Sequence, residues 1–400
     1  MQIYEKYLNR TCWLEIDLDN IIHNIKILKN LVGPDVKVMP AVKANAYGHG
    51  ILESCKALVD GGADMLGVGN IEEGIALRNY GINVPILVFA SNMIVEVVDS
   101  YFKNNLIPTV LSFEQAKFLS KMAGNSTHPI FIKIETGRGR LGINAEEAVD
   151  IIKKIKSLQG ISIEGIYSHL ATADWPDKNN EYTYWQYKRF TSVKEDLEAE
   201  NIYIPYYQIA NSPGSIALPD ICLTGICPGR AIWGYSPLEK RPGHPKLKQA
   251  IKAWKSKLIQ VKEVIGGKFG LEFEAIQLDR PRRIGIMTAG LSDGIDKKHA
   301  IDGEVLIRGH RVPIGSSISL EHTILDLNNF PNVEVGDEVV ILGKQKDEEI
   351  TLQELRNQWD RGLTEFLTSI NPNMPRLYFK KGKPISISFD LKIIKLQKET

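Results

Sequence analysis

The chain has no excess of charge, no long apolar run and little cysteine, and each shortage closes off a class of function. Its 49 lysines and arginines stand against 48 aspartates and glutamates, which leaves a formal charge of +1. Nucleic acids and anionic membrane surfaces select basic clusters, so neither is expected as a partner. No apolar run approaches the roughly 18 residues needed to cross a bilayer. The opening segment from Met1 to Tyr7 lacks the apolar stretch of a secretory signal. The four cysteines, Cys12, Cys55, Cys222 and Cys227, show neither CxxC spacing nor a disulfide-dense pattern. They read as reduced thiols in a cytoplasmic protein, with no metal expected. Low-complexity tracts are absent, and so is any repeat longer than a strand–helix unit.

What is present is a change of grammar near Pro245. Before it, short β-branched runs alternate with segments of helical period. The runs are Val36–Val42, Asp64–Val68, Val84–Ala90, Ile107–Leu111, Pro129–Glu135, Ile161–His169, Ile204–Ala210 and Ile221–Ile226. Between them lie helix-like stretches such as Ile51–Val59, Ile71–Tyr80, Phe113–Met122 and Ala145–Leu158. Near-continuous apolar strands separated by helices imply parallel pairing buried on both faces. Eight units predict a (β/α)8 barrel, with reacting groups at the C-terminal ends of its strands. An open doubly wound sheet is the competing arrangement.

After Pro245, short alternating runs at Lys257–Val264, Leu271–Gln277, Arg283–Thr288, Gly303–Ile307 and Val339–Leu342 lack intervening helices and are punctuated by Gly and Pro. They predict a mainly antiparallel β domain. Thr351–Trp359 and Leu363–Ile370 read as helices, and Ile385–Leu396 as a return to strand. The expected domains are therefore a barrel over residues 11–245 and a β domain over 246–400, with a strand from residues 1–18, around Arg10–Leu18, added to the second.

The densest chemical signal is the string Met39 to Gly50, MPAVKANAYGHG. Lys43 falls just past the first barrel strand, where a partly desolvated amine can lose its proton and condense with an aldehyde. Taken alone, a lysine at a strand end is more often a solvated surface charge. The ten residues from Ala41 to Gly50 resemble the lysine motif of the alanine racemase family, fold type III pyridoxal-phosphate enzymes with an N-terminal barrel and a C-terminal β domain. The resemblance implies a pyridoxal 5'-phosphate cofactor held as a Schiff base on Lys43, with Tyr47 beside it.

The likeness continues along the chain. The segment Phe131 to Gly142 is similar to the family's strand end, with Glu135 in place of an aspartate. It implies that Arg140 reaches the cofactor's phenolic oxygen and that Lys133 is the position often carbamylated to orient it. The segment Ile166 to Asp174 implies His169 beneath the pyridine ring. Asn211, Ser212 and Gly229 match the phosphate loops, where backbone N–H groups approach phosphate oxygens closely. Arg230 is a further candidate for cofactor phosphate, cofactor ring or substrate carboxylate. Without the lysine motif, these residues read as rim cations, a core histidine and an ordinary turn.

Five positions depart from the family pattern. Cys227 stands where an arginine contacts the pyridine nitrogen. Leu291, in Gly290-Leu291-Ser292-Asp293-Gly294, stands where the family has a tyrosine that acts across a dimer interface as second base. Leu320-Glu321 replaces the Met-Asp pair of the substrate loop, and Pro372 replaces a late phosphate-binding tyrosine. Racemisation needs a proton removed on one face and delivered on the other, and Leu291 cannot titrate. Ser292, Asp293, Glu321 and His322 are the nearby substitutes.

Two functions follow. One is an amino-acid racemase acting on a small-molecule substrate through Lys43, in a homodimer with shared sites. The other is single-base chemistry on an amino acid, such as decarboxylation, elimination or transamination. A cofactor-binding protein without turnover is a third outcome.

Overall fold

The computed structural model describes residues 11–90, 93–174, 176–236, 238, 243–265, 267–271, 274–278, 280–389 and 392–395. The opening segment read above as free of a signal lies outside them. The chain divides into two compact units. One holds residues 20–46 and 51–249. The other holds the described residues up to Asp19, the turn Tyr47–Gly50, and those from Ala250 onward.

In the first unit the eight apolar runs all carry strands: Lys37–Val38, Leu66–Val68, Ile86–Val88, Ile107–Val110, His128–Glu135, Ile161–Tyr167, Tyr207–Gln208 and Gly225–Ile226. Each pairs in parallel with its sequence neighbour from Leu66–Val68 through to Gly225–Ile226, which pairs in turn with Lys37–Val38. A parallel bridge between Ala41 and Gly67 closes the ring. That bridge decides between the two sequence readings: an open sheet has free edges, and this sheet has none at that seam. Gly67 is required there. A Cβ on it lies 2.2 Å from the Phe89 ring, so a larger residue drives the seam and the ring apart.

Met39, Met65, Leu87, Ile107, Phe131, Tyr167 and Tyr206 fill the barrel, with Phe89 and Cys227 packed against them. The inside is thus a packed core rather than a channel, and polar chemistry is pushed to its C-terminal rim. The helices start where the sequence supplies caps. Ser112 accepts from Gln115 N at 3.3 Å ahead of Phe113–Met122, while the Gln115 side chain accepts from Leu111 N at 2.8 Å. Asn70 accepts from Glu73 N at 2.9 Å ahead of Ile71–Asn79. This reciprocal use of cap and third residue satisfies donors that a helix start leaves open.

The second unit is built on one large sheet. Its strand Ile251–Val264 pairs antiparallel with Arg282–Met287, Glu338–Gln345 and Cys12–Asp17. Cys12–Asp17 pairs in parallel with Arg376–Lys380, and the other pairings of that sheet are antiparallel. The run Leu271–Gln277, read as one strand, is divided between two: Gly267–Leu271 and Glu274–Leu278 pair as a separate antiparallel ribbon. Residues 272 and 273 lie outside the described part. The run Ile385–Leu396 likewise divides into Lys383–Phe389 and Lys392–Lys395, and Leu396 is not among the described residues. Alternation alone does not show where a strand reverses, because both arms of a ribbon share the same period.

Candidate active site

Lys43 begins a backbone conformation that periodicity gave no hint of. Ala44, Asn45 and Ala46 have φ/ψ of 54/56, 53/47 and 55/49, and Tyr47 follows at φ 52. Four consecutive non-glycine residues thus make a left-handed turn, at about 1–2 kcal/mol of steric cost each. Such strain persists only where surroundings over-determine it. Within the barrel unit, the Glu73 carboxylate accepts from Asn45 N at 2.9 Å and from Gly69 N at 2.8 Å. The Asn45 side chain in turn accepts from Ile51 N at 2.8 Å. Gly69 keeps this spot tight, since a Cβ added there would lie 3.0 Å from that of Lys43 and would have to push it aside. Burial lowers the pKa of Lys43; Cys227 opposes this, Arg140 adds to it, and Glu73 opposes it.

Lys133 lies two residues before the end of strand His128–Glu135, only 7% exposed. Burial, then Arg140 and Lys43, bring its pKa down to about 8. Its ammonium lies 5.1 Å from the centre of the Tyr167 ring, and the Tyr167 hydroxyl is 2.9 Å from Thr109 Oγ1. Glu135 closes the following turn. It accepts from Arg140 N at 2.9 Å and also from Gly137 N. Burial alone raises a carboxyl, but backbone donation from Arg140, Gly137, Gly139 and Arg138 outweighs it and holds Glu135 below its ordinary value. The extra methylene relative to aspartate is accommodated in this turn. His169 follows the strand Ile161–Tyr167, and burial, then Lys133, Arg140 and Lys43, depress its pKa to about 3. It is a neutral imidazole throughout the physiological range.

The remaining barrel loops meet at Ser212. Its Oγ accepts from Gly229 N at 2.8 Å and from Ala231 N at 3.2 Å. Asn211 caps the short helix Ser212–Ala217 by accepting from Gly214 N at 3.1 Å. Cys227 N donates to Ala210 O, and Ala41 N to Pro228 O, each at 2.9 Å, which ties this turn to the strand that leads to Lys43. The Cys227 thiol is pushed up to about 12 by burial, with Lys43 and Lys133 acting against that. It is a neutral thiol. Arg230 donates to Asp174 in a close ion pair, so its guanidinium is already engaged by a carboxylate. Among the predicted residues, Lys43, Lys133, Arg140, His169 and Cys227 are close enough to perturb one another. Glu73 and Asp174 were missed. The spacing Asn70-x-x-Glu73 is a helix-start signal that the sequence does carry, but nothing local links it to Lys43.

In the second unit, Tyr47 is buried at the head of the turn Tyr47–Gly50, and Arg376 Nε donates to Gly48 O at 3.0 Å. Arg376 also donates to Pro372 O at 2.7 Å and Asn371 O at 3.1 Å. The Leu291 segment lies against the other departing loop: Leu291 N donates to Ser319 O at 2.9 Å and Ser292 N to Leu320 O at 2.8 Å. Asp293 is buried and accepts from Gly290 N at 3.0 Å, a structural use of that carboxylate. Ser292, Glu321 and His322 are exposed, and Leu320 is 69% exposed.

Residues 16–237 match the family model for the alanine racemase N-terminal domain, and residues 251–378 match that for the C-terminal domain. An alanine racemase of Halothermothrix orenii is 35% identical over 379 residues, covering 94% of this chain and 99% of the relative. One of Methanococcus maripaludis is 36% identical over 372 residues, covering 92% and 98%. Among solved structures, alanine racemase of Clostridium difficile superposes with a TM-score of 0.87 at 28% identity, covering 96% of this chain and 99% of that one. That of Bacillus anthracis, with bound L-Ala-P, gives 0.86 at 29%, covering 96% and 98%.

Proposed function

The chain belongs to the alanine racemase family, and from that premise we propose that it is a pyridoxal-phosphate-dependent amino-acid racemase in which Lys43 carries the cofactor and moves the Cα proton. The carrying observation is the environment of Lys43: an amine lowered in pKa by burial, at the rim of a closed barrel. The residues present fit the cofactor. Gly229 N and Ala231 N converge on one hydroxyl, Ser212 Oγ, an arrangement of donors suited to phosphate oxygens. When bound, pyridoxal phosphate supplies an aldehyde for the lysine and an electron-withdrawing ring that acidifies Cα of an attached amino acid.

The chain's own groups do the rest. A neutral Lys43 amine accepts the Cα proton on its side. His169, held neutral, offers a flat uncharged face for an aromatic ring. Arg140 offers fixed guanidinium donors to a phenolate. Lys133, with a pKa of about 8, has a neutral fraction able to add carbon dioxide, and the resulting carbamate pairs with Arg140. Cys227 contributes no charge at the position of the family's arginine, so that end of the ring is tuned by a weakly polar thiol. Asn211, Ser212 and Gly229 hold phosphate, and Tyr47 is a further cofactor contact implied by the resemblance. Arg230, paired with Asp174, acts by orienting that loop.

The opposite proton is delivered by a group other than residue 291, and Ser292, Glu321 and His322 are the exposed candidates on the adjoining loops. Decarboxylation, elimination and transamination are disfavoured, because alanine racemases match nearly the whole chain at about 35% identity. Alanine, as in the relatives' name, is the first substrate to try. No helix among the described residues is long and apolar enough to cross a membrane, and we place the enzyme in the cytoplasm as a homodimer with shared sites.

The test is incubation with L-alanine and other L-amino acids in deuterated water. Exchange at Cα with inversion is expected, and Lys43→Ala is expected to lose both exchange and the absorbance of the lysine-bound cofactor. Exchange with full retention sinks the racemase reading; an unchanged spectrum in Lys43→Ala sinks the assignment of the lysine.

A further inference from the structure

Lys43 owes its placement to a backbone that L-residues resist, and one side chain in the barrel unit clamps that backbone. The Glu73 carboxylate spends one oxygen on Asn45 N, inside the left-handed turn, and the other on Gly69 N, just past the strand Leu66–Val68. It therefore ties the segment after the first barrel strand to the segment after the second. The seam below these points is the same pair of strands, joined at Ala41 and Gly67. A Cβ added at Gly69 would lie 3.0 Å from Lys43 Cβ, so the second strand's exit passes close beside the lysine. Glu73 itself is fixed from behind, its N–H donating to the Asn70 side chain at 2.9 Å.

Resting on the assignment of Lys43 above, we infer that Glu73 is a positioning residue: it clamps the left-handed turn so that the Lys43 amine is held in reach of a bound aldehyde, and it places one negative charge next to that amine. The two oxygens matter separately. A carboxylate accepts from both N–H groups, whereas an amide has a single oxygen and turns an NH2 toward the other donor. Glu73→Gln therefore breaks one clamp and removes the charge. Glu73→Asp keeps the charge and both acceptors but shortens the reach by one methylene. A clamp that served stability alone has no reason to alter how Lys43 titrates.

The experiment uses cofactor-stripped protein with pyridoxal phosphate as probe. Borohydride trapping and peptide mapping give the capture rate at Lys43, and competitive acetylation across pH gives the midpoint at which Lys43 becomes reactive. Capture is compared at a pH above every midpoint, where all variants carry a neutral amine and only placement differs. Glu73→Gln is expected to capture on the order of tenfold to a hundredfold more slowly and to titrate at lower pH than wild type. Glu73→Asp is expected to slow capture with a smaller movement of the midpoint. Capture and midpoint equal to wild type in folded Glu73→Gln overturn the inference. So does slow capture that merely tracks a lower melting temperature at an unchanged midpoint. If Glu73→Gln fails to fold, Glu73→Asp decides by the same two readouts. Wild-type protein that never labels at Lys43 is a different failure, that of the lysine assignment.

Discussion

Lys133 is buried among like charges, and its surroundings fix the sign of a pH effect. Its pKa is about 8 in the fold against an ordinary 10.5, from burial first and then Arg140 and Lys43. Between those values the unfolded chain binds more protons than the native one, so stability rises with pH across that window. Below about pH 8 the full penalty of a buried ammonium is present. In protein kept free of carbon dioxide, where Lys133 is the free amine, Lys133→Met is therefore expected to raise stability at pH 7 by on the order of 1–3 kcal/mol, with the gain shrinking toward pH 10.5. Urea unfolding at several pH values checks this. An equal gain at pH 7 and pH 10.5 contradicts the electrostatic account. The same substitution should slow turnover, because it removes the amine proposed above to take up carbon dioxide and pair with Arg140.

At the scale of an element, the turn Ala44–Tyr47 shows strain placed beside chemistry. Ala44 is its exposed member, so substitutions there test backbone conformation with little change in packing. Ala44→Gly removes a steric cost of about 1–2 kcal/mol and adds an entropic one of about 0.5–1 kcal/mol. It should be neutral to slightly stabilising. Ala44→Val puts a β-branched side chain at positive φ and should cost at least about 1–2 kcal/mol. Chemical unfolding of the pair measures the difference; a valine variant as stable as the glycine one means the turn is not left-handed in solution. This element was illegible in the sequence. Ala44, Asn45 and Ala46 carry no glycine to announce positive φ, and the residue that holds them, Glu73, is 28 positions from Asn45.

For the whole molecule, three of the positions that the resemblance marks as replaced, Leu291, Leu320 and Pro372, fall in the antiparallel unit. In the homodimer proposed above, the partner is expected to supply the group opposite Lys43. Light scattering on active protein should give twice the chain mass. A monomer that racemises at full rate at the same concentration would falsify the shared site.

The sequence by itself determined the eight parallel strands, the change to antiparallel pairing and the lysine motif, because each depends on residues a few positions apart. Periodicity, caps and short motifs are local facts, and burial follows them. Tertiary structure alone decided that the barrel closes through Ala41 and Gly67, and that Arg230 is taken by Asp174. It also decided that Lys133 and His169 lose their ordinary pKa values, and that Glu73 reaches the turn after Lys43. Those outcomes depend on which distant groups share a low-dielectric space, and the interaction between two charges or two strand ends has no counterpart in either segment read alone.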